Sequence, residues 1–158
     1  MLLYAPSLDG LTAGWRTRGD ADAPPHLVLA HPFLPVEQVD VGVHEELRWF
    51  FAGVDGFAVR FGRVERREGV LWLVPEEQQE VTDLAAALAL RWPEPAQTAP
   101  PVPRLAVARG DDAHLDEVER ALQPHLPVTA ELTAAGLWST TDAGWSEVAS
   151  LPLAEGED

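Results

Sequence analysis

The sequence predicts an α+β protein built on a duplicated βαββ unit. The expected molecule is bilobal, with two antiparallel sheets around a central cleft and helices outside. Three observations carry this reading. Apolar residues switch along the chain between a period of two and a period near 3.6. The order strand, helix, strand, strand occurs twice. The first strands of the two runs, at His26 and Arg104, are offset by about 78 residues, and the later elements follow at a similar offset. Such units pack as two lobes about a pseudo-twofold axis, with equivalent strands facing each other across a cleft. The domain is expected over 1–154, with the second unit at about 102–153 and an acidic tail at 155–158.

The elements follow in order. Residues 2–5 are an apolar start. Ser7 is suited to cap a helix carrying Leu8, Leu11 and Trp15 at helical spacing. GDADAPP is a loop. His26 to His31 alternates as a strand, with 26, 28 and 30 on one side and 27 and 29 on the other. Val36, Val39, Val43, Leu47 and Phe50 step by three and four, which predicts an amphipathic helix closed by Gly53. Phe57, Val59 and Phe61 begin a strand, ERREG turns, and VLWLV is the next strand. Pro75 opens a helix whose face holds Val81, Leu84, Leu88 and Trp92. PEPAQTAPP is a surface connector, too rich in proline for a helix or central strand. VPRLAVA is a strand. DDAHLDEVERAL is a helix capped by Asp111 or Asp112, with Leu115, Val118 and Leu122 inward. PVTAELTAAGLW and WSEVASLPL are strands joined across TTDAG.

Composition bounds the function. The chain has 158 residues, of which 46% are hydrophobic, and a mean hydropathy of -0.08. That suits one folded domain with a real core. There is no cysteine, so disulfides and thiolate chemistry are excluded. The five histidines (His26, His31, His44, His114 and His125) lack metal-ligand spacing. No signal-like start and no bilayer-length apolar run is present, so the cytoplasm is the expected compartment and no membrane partner is expected. With 26 acidic and 11 basic residues the formal net charge is -15, which opposes broad nucleic-acid binding. A local basic pocket for a small phosphate remains compatible with it. Every basic residue other than histidine is arginine, and Lys, Ile and Asn are absent. This matches a GC-rich coding bias and is no functional signal.

PPHLVLAHPFLP, the acidic helix after it, the strand pair ending in VLWLVPE, the next helix, the connector and VPRLAVARGDD together resemble the 2H phosphoesterase superfamily. More narrowly they resemble its bacterial 2′-5′ RNA ligase-like branch. The resemblance runs from about Leu2 to Leu153. It implies two His-x-Thr/Ser-x motifs, one per lobe, whose histidines meet in the cleft. One serves as general base on water or a ribose hydroxyl, and the other protonates the leaving oxygen. The hydroxyls hold phosphate oxygens, and no metal or other cofactor is required. Spacing of i, i+2 puts histidine and hydroxyl on one face of a strand, and histidine titrates near neutrality.

Position by position, the first motif reads His26-Leu27-Val28-Leu29 and the second Arg104-Leu105-Ala106-Val107. His26 is kept as the candidate catalytic residue. Val28 and Ala106 stand where the hydroxyls belong, and Arg104 where the second histidine belongs. Arginine stays protonated, so it neither accepts a proton nor readily gives one. Its planar fork can instead bind phosphate or carboxylate. A salt bridge from Arg104 to one of the many acids is an equal alternative. The first reading is therefore a degenerate member whose Arg104 and His26 bind a small phosphate or nucleotide with little or no turnover. The second is a catalytically dead module for a protein partner. The third is residual cyclic phosphodiesterase activity through His26. His31 is expected on the face opposite His26, His44 reads as a solvated helix residue, and His114 and His125 flank the fourth helix, His125 favouring the dipole at its C-terminus. The RVERR cluster reads as a solvated hairpin able to guide a phosphate. Trp15, Trp72 and Trp92 are assigned to core faces.

Overall fold

The computed structural model describes residues 1–15, 23–31, 33–93, 103–141 and 144–155. Eight strands are found among them: β1 (Leu2–Tyr4), β2 (His26–Val28), β3 (Phe57–Arg67), β4 (Val70–Pro75), β5 (Leu105–Arg109), β6 (Val128–Leu132), β7 (Ala134–Thr141) and β8 (Gly144–Pro152). The α-helices are α1 (Asp9–Thr12), α2 (Val41–Ala52), α3 (Gln79–Arg91) and α4 (Asp112–Leu122).

The α+β class holds, but the two expected sheets are one. The strands form a single eight-stranded sheet in the order β6-β3-β4-β5-β2-β1-β7-β8, and every ladder in it is antiparallel. The reason is the seam at its centre. Leu27 of β2 pairs with Leu105 of β5, so the two equivalent strands share hydrogen bonds instead of facing each other across a gap. The sheet also curls. Leu132 ends β6 at one edge, and after Thr133 alone the chain enters β7 near the other edge. An isolated bridge between Asp55 and Ala154, and a bond from the Leu153 amide to the Thr133 carbonyl (2.9 Å), tie these ends together.

One face of the sheet makes the core. Leu3, Leu27, Leu105, Val107, Leu71 and Leu73 all point to it, and each is essentially inaccessible. They join Leu47 and Phe51 of α2, Val81, Leu84 and Leu88 of α3, and Leu115, Val118 and Leu122 of α4 in a single apolar cluster. The strand alternation explains the other face: the neighbours His26, Val28, Arg104 and Ala106 are only half-buried.

Several local expectations shift. The first helix is short, a 3₁₀ turn at Pro6–Leu8 followed by α1, and Ser7 does not cap it. The helix read from Val36 begins at Val41, because the Asp40 carboxylate caps it by accepting from the Val43 amide at 2.9 Å. Val36 itself lies in a separate 3₁₀ turn and is 48% exposed. Pro75 closes β4 and does not open α3, which starts at Gln79. PVTAELTAAGLW is two strands, β6 and β7, broken at Thr133. Asp111 caps α4 by accepting from the His114 amide at 2.8 Å, as one of the two readings had it. The β3–β4 turn is Glu68-Gly69, both at positive φ (51° and 75°), the two-residue hairpin geometry that favours glycine. The PEPAQTAPP connector lies mostly outside the described residues.

Candidate functional site

The seam builds the site. With Leu27 opposite Leu105 and both facing the core, the residues on either side turn to the open face. The same register brings His26 beside Ala106 and, one residue before β5, Arg104 beside Val28. The four motif positions line one cavity of about 130 Å³, together with Pro24, Pro25, Trp72, Arg109 and Trp145. Trp72 pairs with Ala106 and so lies on the cleft face, contrary to its core assignment.

His26 is held by its backbone neighbour. Its Nδ1 lies 2.8 Å from the Pro24 carbonyl oxygen. A carbonyl only accepts, so Nδ1 carries the proton, and in the neutral ring Nε2 is the acceptor.

Arg104 makes the ion pair that stood as its alternative. Its Nε donates to Glu65 Oε2 at 2.8 Å, with the arginine side chain 15% exposed and the glutamate 24%. Arg63 Nη1 donates to the other Glu65 oxygen at 2.9 Å. The Arg63 bond, with a smaller share from Arg104, holds the Glu65 carboxyl below its ordinary 4.5, against the partial burial that pushes it up. Among the described residues nothing else engages the terminal nitrogens of Arg104. Arg104 thus lines the cavity while its Nε is anchored to Glu65. Arg66 is committed elsewhere, to Asp116 (2.5 Å) and Glu119 (2.7 Å) of α4. Arg67 lies with Arg104 and Arg109 around a neighbouring recess. The RVERR cluster is thus divided between structural pairs and the edge of the site.

Sequence reasoning missed Tyr4, Glu65, Arg109 and Trp145. Tyr4 pairs directly with His26 and shares its face. Its hydroxyl donates to Glu147 Oε2 at 2.5 Å and accepts from the Trp138 indole Nε1. Burial first, then the Glu147 hydrogen bond, pushes the phenol well above its usual value, so Tyr4 stays protonated. The alternation of Leu2 and Tyr4 in LLY was the available signal, but nothing in it names β2 as partner. His31 is exposed beyond the end of β2 and lines a second cavity next to the first. Its expected place on the opposite face fails because the chain leaves the sheet after Val28. The amides of Leu29 and Ala30 both donate to the Met1 carbonyl oxygen, at 3.0 and 3.3 Å. His114 and His125 are exposed and His44 half-exposed. Among the described residues, no group of three or more metal-ligating side chains is placed to hold an ion, and no helix is long and apolar enough to cross a membrane.

A curled antiparallel sheet, helices over one face and the strand segments at His26 and Arg104 meeting at the centre of the other define the class: an α+β protein with a central cleft. The family model of the 2′-5′ RNA ligase superfamily matches residues 4–144, which takes in both motif segments. The chain belongs to that superfamily, and with it to the 2H phosphoesterases. No curated protein matches the chain.

Proposed function

We propose that the cleft binds a small phosphate, free or as the phosphoryl end of a nucleotide, through Arg104 and His26, and that cyclic phosphodiester turnover has been lost. One observation carries this: all four motif positions line the same small cavity, and among the described residues its charged lining residues are Arg104 and Arg109, beside His26. Hydrolysis of a phosphodiester needs a base for the attacking oxygen and an acid for the leaving one. Arg104 occupies the second of those places and keeps its proton, a loss worth about 10² to 10⁴ in rate. Val28 and Ala106 offer no hydroxyl to the phosphate oxygens. What remains is a cationic recess with a planar donor fork. At about 130 Å³ it admits a phosphoryl group but falls below the roughly 300–1,000 Å³ of sites that enclose whole small molecules.

A second reading, slow turnover by His26 alone, is favoured by the Pro24 carbonyl, which holds the tautomer with a basic Nε2. A thermal-shift titration separates the two. Inorganic phosphate and nucleoside 2′-, 3′- and 2′,3′-cyclic monophosphates are added, and the same wells are analysed for product. Binding alone predicts stabilisation, about 2.7 kcal/mol at a hundredfold excess over Kd, that is lost in Arg104→Ala, with no product. Product that disappears in His26→Ala would establish turnover instead. No stabilisation by any probe would overturn both readings and leave a protein partner as the object of search.

A further inference from the structure

The anion cavity has a larger neighbour of different chemistry. A chamber of about 380 Å³ meets it at Val28 and Trp145, which line both. Its other walls include Met1, Leu2, Phe33, Leu34 and Leu137; among the described residues its polar side chains besides the indoles are His31 and Ser139, and the Met1 ammonium is given to the Ala30 carbonyl oxygen at 2.9 Å. The Trp138 indole N–H is already given to Tyr4, so that ring offers the chamber apolar surface and no donor. Trp145 stacks obliquely on Trp138, with centroids 6.4 Å apart at 44°, yet remains 43% exposed. A large aromatic side chain left open where two cavities join is apolar surface that a ligand would cover.

Resting on the anion reading above, we propose that the cleft takes a phosphate monoester whose body is a compact aromatic or aliphatic group seated in this chamber. Size supports it. The chamber falls within the range of small-molecule sites, whereas the anion cavity alone does not. Polarity supports it too. A nucleobase presents several donors and acceptors that lose water on entry, and the mostly apolar side chains of the described lining offer few partners for them. An aryl or alkyl body loses nothing of that kind and gains by leaving water. Val28 makes the junction. At the position where the family motif has a hydroxyl, its side chain presents apolar surface to both cavities, so an ester oxygen held near Arg104 leads directly into an apolar space.

The test is calorimetric titration of the full chain with inorganic phosphate, phenyl phosphate, n-butyl phosphate and adenosine 5′-monophosphate. Phenyl phosphate is expected to bind at least about tenfold more tightly than inorganic phosphate, from the area its ring buries. Ser139→Trp should fill the chamber, remove that gain and leave inorganic phosphate binding intact. Val36→Trp, at an exposed position on the chamber rim, repeats the test if Ser139→Trp does not fold. Phosphate binding with no gain from the phenyl or butyl group would overturn this proposal and spare the anion reading. A preference for adenosine monophosphate over phenyl phosphate would likewise overturn it. Binding by none of the four would overturn the anion reading together with this one.

Discussion

Gly136 tests the packing beneath the site. It lies on β7 opposite Leu2, and the Tyr4 ring passes over it. A Cβ added there would fall 1.6 Å from the Tyr4 hydroxyl oxygen and 2.2 Å from Cζ. Tyr4 is 6% exposed and hydrogen-bonded to both Glu147 and Trp138, so it cannot swing aside and keep its partners. Gly136→Ala should therefore cost the two hydrogen bonds, about 1 kcal/mol each, and about 1–3 kcal/mol of overpacking. The sum, about 3–5 kcal/mol, lowers the melting temperature by on the order of 10 °C in a chain of this length. Gly62→Ala is the control. Its Cβ would also clash, though less deeply, meeting Glu76 Oε1 at 2.5 Å and Cγ at 2.7 Å. But the Glu76 side chain is 46% exposed and, among the described residues, is held by Arg60 alone at 3.2 Å, so it moves at small cost. Urea unfolding of both variants, and of Gly136→Ala in a Tyr4→Ala background, completes the experiment. Without the ring the alanine should cost less than about 1 kcal/mol, because Ala suits a strand better than Gly. Equal costs in the two backgrounds, or a Gly136→Ala protein within about 0.5 kcal/mol of the parent, would refute the reasoning.

Further outcomes follow from the same geometry. Glu65→Gln removes the negative charge that competes for Arg104, and inorganic phosphate should bind about two- to fivefold more tightly by calorimetry. Acid unfolding reads the same residue. The folded Glu65 carboxyl titrates below its ordinary 4.5, so its contribution is complete above that pH and disappears as the pH falls through the lower folded value. The glutamine variant should lack that part of the acid limb, and an unchanged limb would count against the pairing. Leu105→Ala, at a fully inaccessible position opposite Leu27, should cost about 2–5 kcal/mol in urea. Its neighbour Ala106→Ser, on the open face, should stay within about 0.5 kcal/mol, and equal costs would show that the two faces are misassigned.

The sequence was most informative where a side-chain period coincided with a repeat. The alternation in HLV and RLAVA put 26, 28, 104 and 106 on one side of two strands, and the offset between the runs put those strands in equivalent places. All four positions do line one cavity. What the period could not supply was partnership. TAELTAAGLW alternates almost without interruption, yet Leu132 belongs to a strand at one edge of the sheet and Ala134 to a strand that pairs with β1. Nothing in the side chains marks Thr133 as the point of exchange. Tyr4 was hidden for the same reason, since three residues at the start of a chain carry too short a pattern to name a neighbour. Trp72 was misplaced because a bulky aromatic residue in an apolar strand looks the same on either face. Ordinary alternation puts Leu71 and Leu73 in the core and Trp72 on the cleft face. The Glu65 partner of Arg104 lies 39 residues away and became identifiable only through the hairpin that carries it.

The order of the strands also dictates when the cleft comes into being. β3, β4, β5 and β6 are adjacent in the sheet and occupy one uninterrupted stretch of chain, residues 57–132. β1, β2, β7 and β8 draw on both ends of the chain, so they can assemble only after a long loop has closed, an entropic cost that local pairing avoids. Arg104 and Ala106 are presented by the first group, His26 and Val28 by the second. The contiguous part of the chain can gather early, but the recess is complete only when β2 docks on it at Leu27 and Leu105. Any ligand held there selects for the finished topology, and its binding strength is a measure of that final closure.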